Sequence, residues 1–322
     1  MSDERFDVPI LFLIYRQPEI TSATFERIRQ MKPSRLYIGA DGPRKNMPSE
    51  EEECELTRQV VDCIDWDCSV KKRFLPKNVG LKVAVSGAID WFFSEVNEGI
   101  ILEYDCLATP SFFYFCQAML NRYRNDERVF CITGDNIQNG IWRGDGDYYF
   151  SNLFGCWGWA TWKGSWSHWK PNLPNYERFR SENYIANVLL SEKSRKYWIE
   201  KFDDIHVGRN TTTWAFCFLY AQLSQGGLCV VPNRNLVSNI GFNKEGTHAK
   251  NPDHPLSNLQ SYALNSYVAP AFKLPHIEAD ELLTRIASSV SIQKAVTNGF
   301  CQILKKILPN FVISLIRKYR SS

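Results

Sequence analysis

Five strand-like apolar runs, separated by four segments of helical spacing, fill the first 136 residues, and that alternation constrains the fold more than any other feature. The runs are "VPILFLIY" (8–15), "RLYIGADGP" (35–43), "CSVKKRFLP" (68–76), "GIILE" (99–103) and "RVFCITGDN" (128–136). Between them lie "PEITSATFERIRQM" (18–31), "SEEEECELTRQVVDCI" (49–64), "LKVAVSGAIDWFFSEV" (81–96) and "SFFYFCQAMLNRYR" (111–124). Pro18 suits a first helical turn, and the acids after Ser49 suit a helix N-terminus. Short connections between strands and helices predict an α/β fold: a Rossmann-like, mostly parallel sheet covered by helices on both faces.

Composition enters by exclusion. A net charge of +3 is too small to suggest nucleic-acid binding, and 14% aromatic residues, with ten Trp, argue against disorder and favour a ring-shaped ligand such as a carbohydrate. The ten cysteines in 322 residues do not make a small disulfide scaffold, and Cys54, Cys63 and Cys68 lack the C-x2-C spacing of a zinc knuckle. The opening "MSDERFD" is polar and has no apolar leader core. A cytoplasmic protein with reduced thiols is the expectation.

In sheets of this kind ligands bind beyond the carboxyl ends of the strands. The residues leaving those ends are Tyr15-Arg16, Asp41-Gly42, Glu103-Tyr104-Asp105 and Gly134-Asp135-Asn136, and all should meet on one rim. Asp-Gly is also a plain turn former, and Asp135 a plain loop cap. Glu103 and Asp105 are harder to dismiss, because "GII" and "SFFYF" flank them with apolar surface. Side chains two apart on an extended strand share a side. A carboxylate pair there suits Mn2+ or Mg2+, which shares its shell with waters and substrate phosphates and would neutralise a diphosphate leaving group. Lys82, at the start of a helix after Gly80, is a candidate phosphate contact.

On these residues the chain resembles bacterial nucleotide-diphospho-sugar transferases of the GT-A type, related to N-acetylglucosaminyltransferase I. The similarity runs from about Val8 to His248, through "FLIYRQPE", "GADGP", the block 78–115 ending in a Glu-Tyr-Asp version of the DxD motif, "GCWGWATW", and "GGLCVVPNRNLVSNIGFNKEGTHA". The resemblance implies a GT-A glycosyltransferase. Arg16, Asp41, Lys82, Glu103, Tyr104 and His248 would be donor-binding, Asp41 on a uracil base. Asp105 would be the metal ligand, and the last motif a segment closing over the sugar nucleotide.

Two departures stand out. Tyr104 replaces the middle acid of the motif, and in an extended strand it points away from Glu103 and Asp105. Relatives often carry an acidic base just after the Trp that opens a late helix; "TTTWAFCFLY" (211–220) has Ala215 and Phe216 there. A hydroxyl that attacks must lose its proton, so a base is expected elsewhere. Asp135, Asp203, Asp204 and His206 are the candidates, with Asp204 and Asp135 chosen. Inversion of configuration is implied by the resemblance alone.

Six of the ten tryptophans fall between Trp142 and Trp169. Some must fill a core; an indole face at the rim would stack on a pyranose, and Trp142 and Trp169 are the candidate acceptor contacts. Residues 175–205 read as two polar helices inserted on the acceptor side. The expected organisation is a catalytic domain over 1–270 (a nucleotide-binding part, 1–136, and an acceptor-side part with a lid, 137–270), then a helical extension over 271–322. The last 22 residues hold Lys305, Lys306, Arg317, Lys318 and Arg320 and no acid. Their apolar run is too short to span a bilayer. A basic helix of this kind suits the cytoplasmic face of an inner membrane, or packs on the domain.

The reading is a metal-dependent glycosyltransferase. Its partners would be a nucleotide-sugar donor, of uridine type, and a glycan or lipid-linked acceptor, with a membrane surface through the C-terminal helix. Two alternatives are a non-catalytic carbohydrate- or sugar-nucleotide-binding protein on the same fold, and a nucleotidyltransferase. The second usually carries a glycine-rich basic loop after its first strand, which "YRQPEITS" is not.

Overall fold

The computed structural model describes residues 6–242, 254 and 256–289. Its first half follows the expected alternation: β1 (Ile10–Ile14), α1 (Pro18–Met31), β2 (Arg35–Ala40), α2 (Pro48–Val60), β3 (Ser69–Phe74), α3 (Leu81–Glu95) and β4 (Glu98–Glu103). A three-residue strand β5 (Cys106–Ala108), α4 (Pro110–Tyr123) and β6 (Val129–Thr133) come next. The second half holds β7 (Tyr148–Ser151), β8 (Trp159–Trp162), α5 (Lys163–Ser167), α6 (Tyr176–Ser181), a 3-10 turn (Tyr184–Asn187), α7 (Glu192–His206), α8 (Ala215–Ser224), β9 (Leu228–Pro232) and β10 (Val237–Asn239). A last helix, α9, covers 277–289.

Eight strands form one sheet in the order β3-β2-β1-β4-β8-β6-β9-β7, and β5 pairs with β10 in a separate two-stranded sheet. The pairs β1–β2, β1–β4, β2–β3 and β6–β9 are parallel, whereas β8 runs antiparallel between β4 and β6, and β7 antiparallel at the edge. From β1 the chain builds outward to β2 and β3, then crosses back to β4 on the other side. This reversal makes the ends of β1 and β4 the switch point at which sheets of this kind form their ligand crevice.

Period-two alternation sorts β1 onto two cores. Leu11 and Leu13 join α3, α7, α8 and the buried tryptophans, while Ile10, Phe12 and Ile14 join α1 and α4. A strand buried on both faces reads as a continuous apolar run, as "ILFLI" does. Pro18, Pro48 and Pro110 each sit in a helical first turn, where a missing N–H costs nothing.

The segment 175–205 is less polar in place than its sequence suggested. Tyr176, Phe179, Ile185, Trp198, Phe202 and Ile205 all enter the α3/α8 core. α9 also docks on the body: Ala279, Asp280 and Thr284 are buried, and Thr284 Oγ1 accepts the Trp198 indole N–H at 3.1 Å. His248 and the basic run after residue 289 lie outside the described residues. No described helix is long and apolar enough to cross a membrane.

Candidate functional site

The ends of β1 and β2 carry a polar network centred on a buried carboxylate. Glu50 on α2 is 1% exposed. It accepts from Arg44 Nε at 2.8 Å, the Arg44 backbone N–H at 3.0 Å and Tyr15 O–H at 3.2 Å, with Arg16 Nε 3.7 Å away. The Arg44 hydrogen bonds hold its pKa down to about 2. Arg16 leaves β1 with φ of +26°, a conformation unusual for a residue with a Cβ, and also lies 3.6 Å from Glu53. Asp41 ties two loops together. Its Oδ1 accepts the N–H groups of Gly42 (2.8 Å) and Val79 (3.0 Å), and its Oδ2 the Asn78 amide (2.9 Å). Burial raises the Asp41 pKa against those backbone donors. Lys82 Nζ donates to the Pro171 carbonyl at 2.8 Å.

The acidic residues of the fourth strand sit at the crevice. Leu13 of β1 is the register partner of Glu103, and the Leu13 carbonyl accepts the Tyr104 N–H at 2.8 Å. Tyr104 packs against the α1/α4 core, on the other face from Ile101, the residue two before Glu103. Its phenol is pushed far up by burial and then by Asp105 and Glu103, with Arg16 opposing. Tyr104 therefore stays a neutral phenol, and the motif's substitution faces the side that the alternation assigned it.

Asp105 lies in the turn between β4 and β5. Its carbonyl accepts the Ile240 N–H at 2.8 Å, and Cys106 Sγ is 3.6 Å from its Oδ1. Burial, and then Asp105, push Glu103 up to about 8, and burial raises Asp105 as well. Among the described residues, no Lys, Arg or His forms an ion pair with either carboxylate. Burial and mutual repulsion of this kind favour a protonated form of the pair unless a cation replaces the proton. Asp135 is linked to the pair through the thiols of Cys106 and Cys156, on which Glu103, Asp105 and Asp135 all act electrostatically. Burial raises Asp135 to about 6, and Thr133 Oγ1 bridges it to the Gly155 carbonyl.

No group of three or more His, Cys, Asp or Glu among the described residues is arranged to hold a metal ion. An Mg2+- or Mn2+-type site does not need three, because one or two carboxylates with phosphates and waters complete its shell. The uncompensated charge of Glu103 and Asp105 fits such an ion. Asp105 and Glu103 are the residues that would hold it.

The other candidates separate. Asp204 accepts from Arg209 Nε at 2.7 Å near the end of α7. Asp203 accepts from Tyr176 O–H at 2.9 Å, and His206 faces Glu177 at 3.4 Å. These partners point them into the helical insert, so Asp135 is the base candidate that shares the crevice. Trp169 corrects the sequence reading. It is buried, stacked on Trp166 (5.2 Å between centroids, 10° between planes), and donates its indole N–H to the Trp214 carbonyl at 3.0 Å. Its ring fills core rather than rim. Trp142, at 46% exposed on the loop between β6 and β7, keeps a free face.

Sequence reasoning missed Glu50 as a network centre, treating it as one of four helix-start acids. The spacing Glu50, Cys54, Thr57 marks a buried helical face and could have singled it out. It also missed Asn78 and the Gly155-Cys156 turn, which no spacing rule marks.

No protein-family model matches the chain, and no curated protein sequence matches it. Among solved structures it is similar to a mannosyltransferase, PcManGT from Pyrobaculum calidifontis, in complex with GDP-Man and Mn2+ (11% identity, 69% of this chain and 70% of that one, TM-score 0.36). It is also similar to the galactosyltransferase LgtC in complex with donor and acceptor sugar analogues (12% identity, 87% of this chain and 95% of that one, TM-score 0.34). A third is an apo UDP-glucose pyrophosphorylase (8% identity, 70% and 90%, TM-score 0.34). These likenesses are distant. By its own strand order the chain is an α/β protein built on a Rossmann-like, mostly parallel sheet.

Proposed function

We propose that the chain is a metal-dependent glycosyltransferase that moves a sugar from a nucleotide-diphosphate donor, of uridine type, to a hydroxyl of a cell-surface glycan or lipid-linked intermediate. One observation carries this reading: Glu103 and Asp105, a carboxylate pair without a described counter-cation, end the central strand at the β1/β4 crevice. A divalent ion held by Asp105, with Glu103 beside it, would supply charge neutralisation at the diphosphate leaving group. Arg16, at the end of the neighbouring strand, would meet a phosphate; Asp41, Asn78 and Tyr15 would shape the nucleoside end, with Lys82 and His248 as further donor contacts. The finer likeness to N-acetylglucosaminyltransferase I rests on sequence motifs alone.

In the transfer the acceptor oxygen bonds to the anomeric carbon as the bond to the diphosphate oxygen breaks, and the nucleoside diphosphate leaves. The acceptor proton passes to Asp135, whose pKa of about 6 leaves it mostly ionised yet basic enough to accept at neutral pH. Thr133 and Gly155 fix that carboxylate, and attack from the face opposite the leaving group would invert configuration. Trp142 offers its exposed face to an acceptor ring.

The test is release of nucleoside diphosphate from a panel of UDP-sugars, with and without Mn2+. Turnover that needs the ion and disappears in Asp105→Ala is the expected result. Undiminished turnover in that variant, or no donor binding with Mn2+ present, would sink the reading.

A further inference from the structure

The two most exposed large apolar residues among those described, Phe272 (75%) and Leu274 (70%), lie two apart on a single strap of irregular chain. Val268, nearby on the same strap, is also exposed. Such side chains on mobile chain would mean little, but this strap is pinned. Asp147 exchanges bonds with Val268, its N–H donating to the Val268 carbonyl (2.9 Å) and its Oδ2 accepting the Val268 N–H (2.7 Å). Asp145 accepts from Ala271 N–H at 3.2 Å, and Pro275 bridges to Phe150 on the edge strand β7. The backbone covers β7 and holds its apolar side chains outward.

Beside them opens a cleft of about 570 Å³ lined by Arg122, Asn125, Asp126, Glu127, Arg128 and Lys273. Three cations there face two carboxylates. Asp126 alone accepts from both Arg128 and Lys273, and Arg122 spends its bonds on neutral oxygens, Tyr148 O–H and the Tyr267 carbonyl. Lys273 stands between Phe272 and Leu274, with its ammonium in the cleft and its neighbours on the surface. Apolar side chains alternating with a cation, beside an excess of positive charge, match an anionic lipid surface: acyl chains for the rings and methyls, headgroup phosphates for the cations. The last 22 residues of the sequence add five bases and no acid, a separate attraction to the same anionic surface.

We propose that the strap over 268–274 and the Arg122/Arg128/Lys273 cleft seat this protein on an anionic membrane surface. This holds whether or not the chain transfers sugar. The strap hangs from Asp145 and Asp147, on the same loop as exposed Trp142, so seating it brings that loop to the lipid headgroups.

The experiment is co-sedimentation of the full-length protein with vesicles of phosphatidylcholine alone or mixed with phosphatidylglycerol. Wild type is expected on the mixed vesicles only. Phe272→Ser with Leu274→Ser lowers its partitioning by roughly tenfold, while thermal melting stays unchanged because both side chains are solvent-exposed. That loss persists in a full-length chain whose tail bases 305, 306, 317, 318 and 320 are replaced by Gln. Equal binding to both vesicle types, no effect of the double substitution, or an effect that vanishes with the tail bases overturns the proposal. So does a wild-type dimer in sedimentation that the double substitution abolishes.

Discussion

Gly241 lies so close to Asp105 that a side-chain carbon at 241 would stand 2.9 Å from the Asp105 Cβ and overlap its carboxylate. The chain returning from β10 thus presses bare backbone against the acidic turn, and only glycine leaves room. Gly241→Ala should push Asp105 out of place, cost about 1–3 kcal/mol in urea unfolding, and remove the thermal shift that Mn2+ and a UDP-sugar give wild type. A variant that keeps the full ligand shift would show that the carboxylate position does not matter.

The acid pair should trade stability for binding. Without a cation, folding at neutral pH makes the Glu103/Asp105 pair take up a proton that the unfolded chain has released, which costs stability. Glu103→Gln and Asp105→Asn should therefore each melt higher than wild type at neutral pH in EDTA, and lower than wild type once Mn2+ and donor are added. Calorimetry in both buffers checks the crossing. A melting temperature that falls in EDTA as well would mean that the pair is structural.

Glu50 should govern acid stability. Its pKa is depressed to about 2 by Arg44, so its contribution is complete above the ordinary carboxylate pKa near 4.5 and is lost as pH falls toward 2. Glu50→Gln is expected to lose stability at neutral pH, about 1–3 kcal/mol, because Arg44, Arg16 and Tyr15 lose an ionised partner. Its stability should then fall less steeply than wild type between pH 4.5 and 2. Urea midpoints across that range give the slope.

The fold was legible where one physical rule decided it. Runs such as "ILFLI" and "GIILE" are buried on both faces, so their apolar continuity alone marks central strands, and the strand-end rule then singles out Arg16, Asp41, Glu103, Asp105 and Asp135 as candidates. Legibility ended where a side chain's role depended on partners far away in sequence. Trp142 and Trp169 look alike in the chain, yet the core formed by α5, α8 and Trp214 claims one and leaves the other exposed. Gly155 and Gln138 gain meaning only from Asp135 and from the Ala279 carbonyl on α9.

α9 should behave as a pH-dependent clamp. Asp280 accepts from Ser151 Oγ, the Asn152 N–H at 3.1 Å and the Asn152 amide at 3.0 Å, fixing the start of the loop that carries Gly155 and Cys156. Burial raises its pKa to about 6, so the folded state favours the protonated form. That contribution is complete below the unfolded value near 3.8 and is lost as pH rises through 6. Asp280→Asn should flatten stability between pH 4 and 7, whereas Asp280→Ala, which strands three donors, should cost about 2–3 kcal/mol throughout. Hydrogen exchange at Asn152 and Leu153 distinguishes a loosened clamp from general unfolding.

The two tryptophans that sequence reasoning paired should respond in opposite ways. Trp169→Ala empties a stacked, hydrogen-bonded core position and should cost about 3–5 kcal/mol, visible in urea before any assay is run. Trp142→Ala removes an exposed ring and should leave the urea midpoint within about 0.5 kcal/mol of wild type. If Trp142 stacks on the acceptor, its loss should raise acceptor KM while donor hydrolysis in the absence of acceptor stays unchanged. Donor hydrolysis that falls in step with transfer would place Trp142 in the donor site. An unchanged KM would leave its exposed face without an acceptor role.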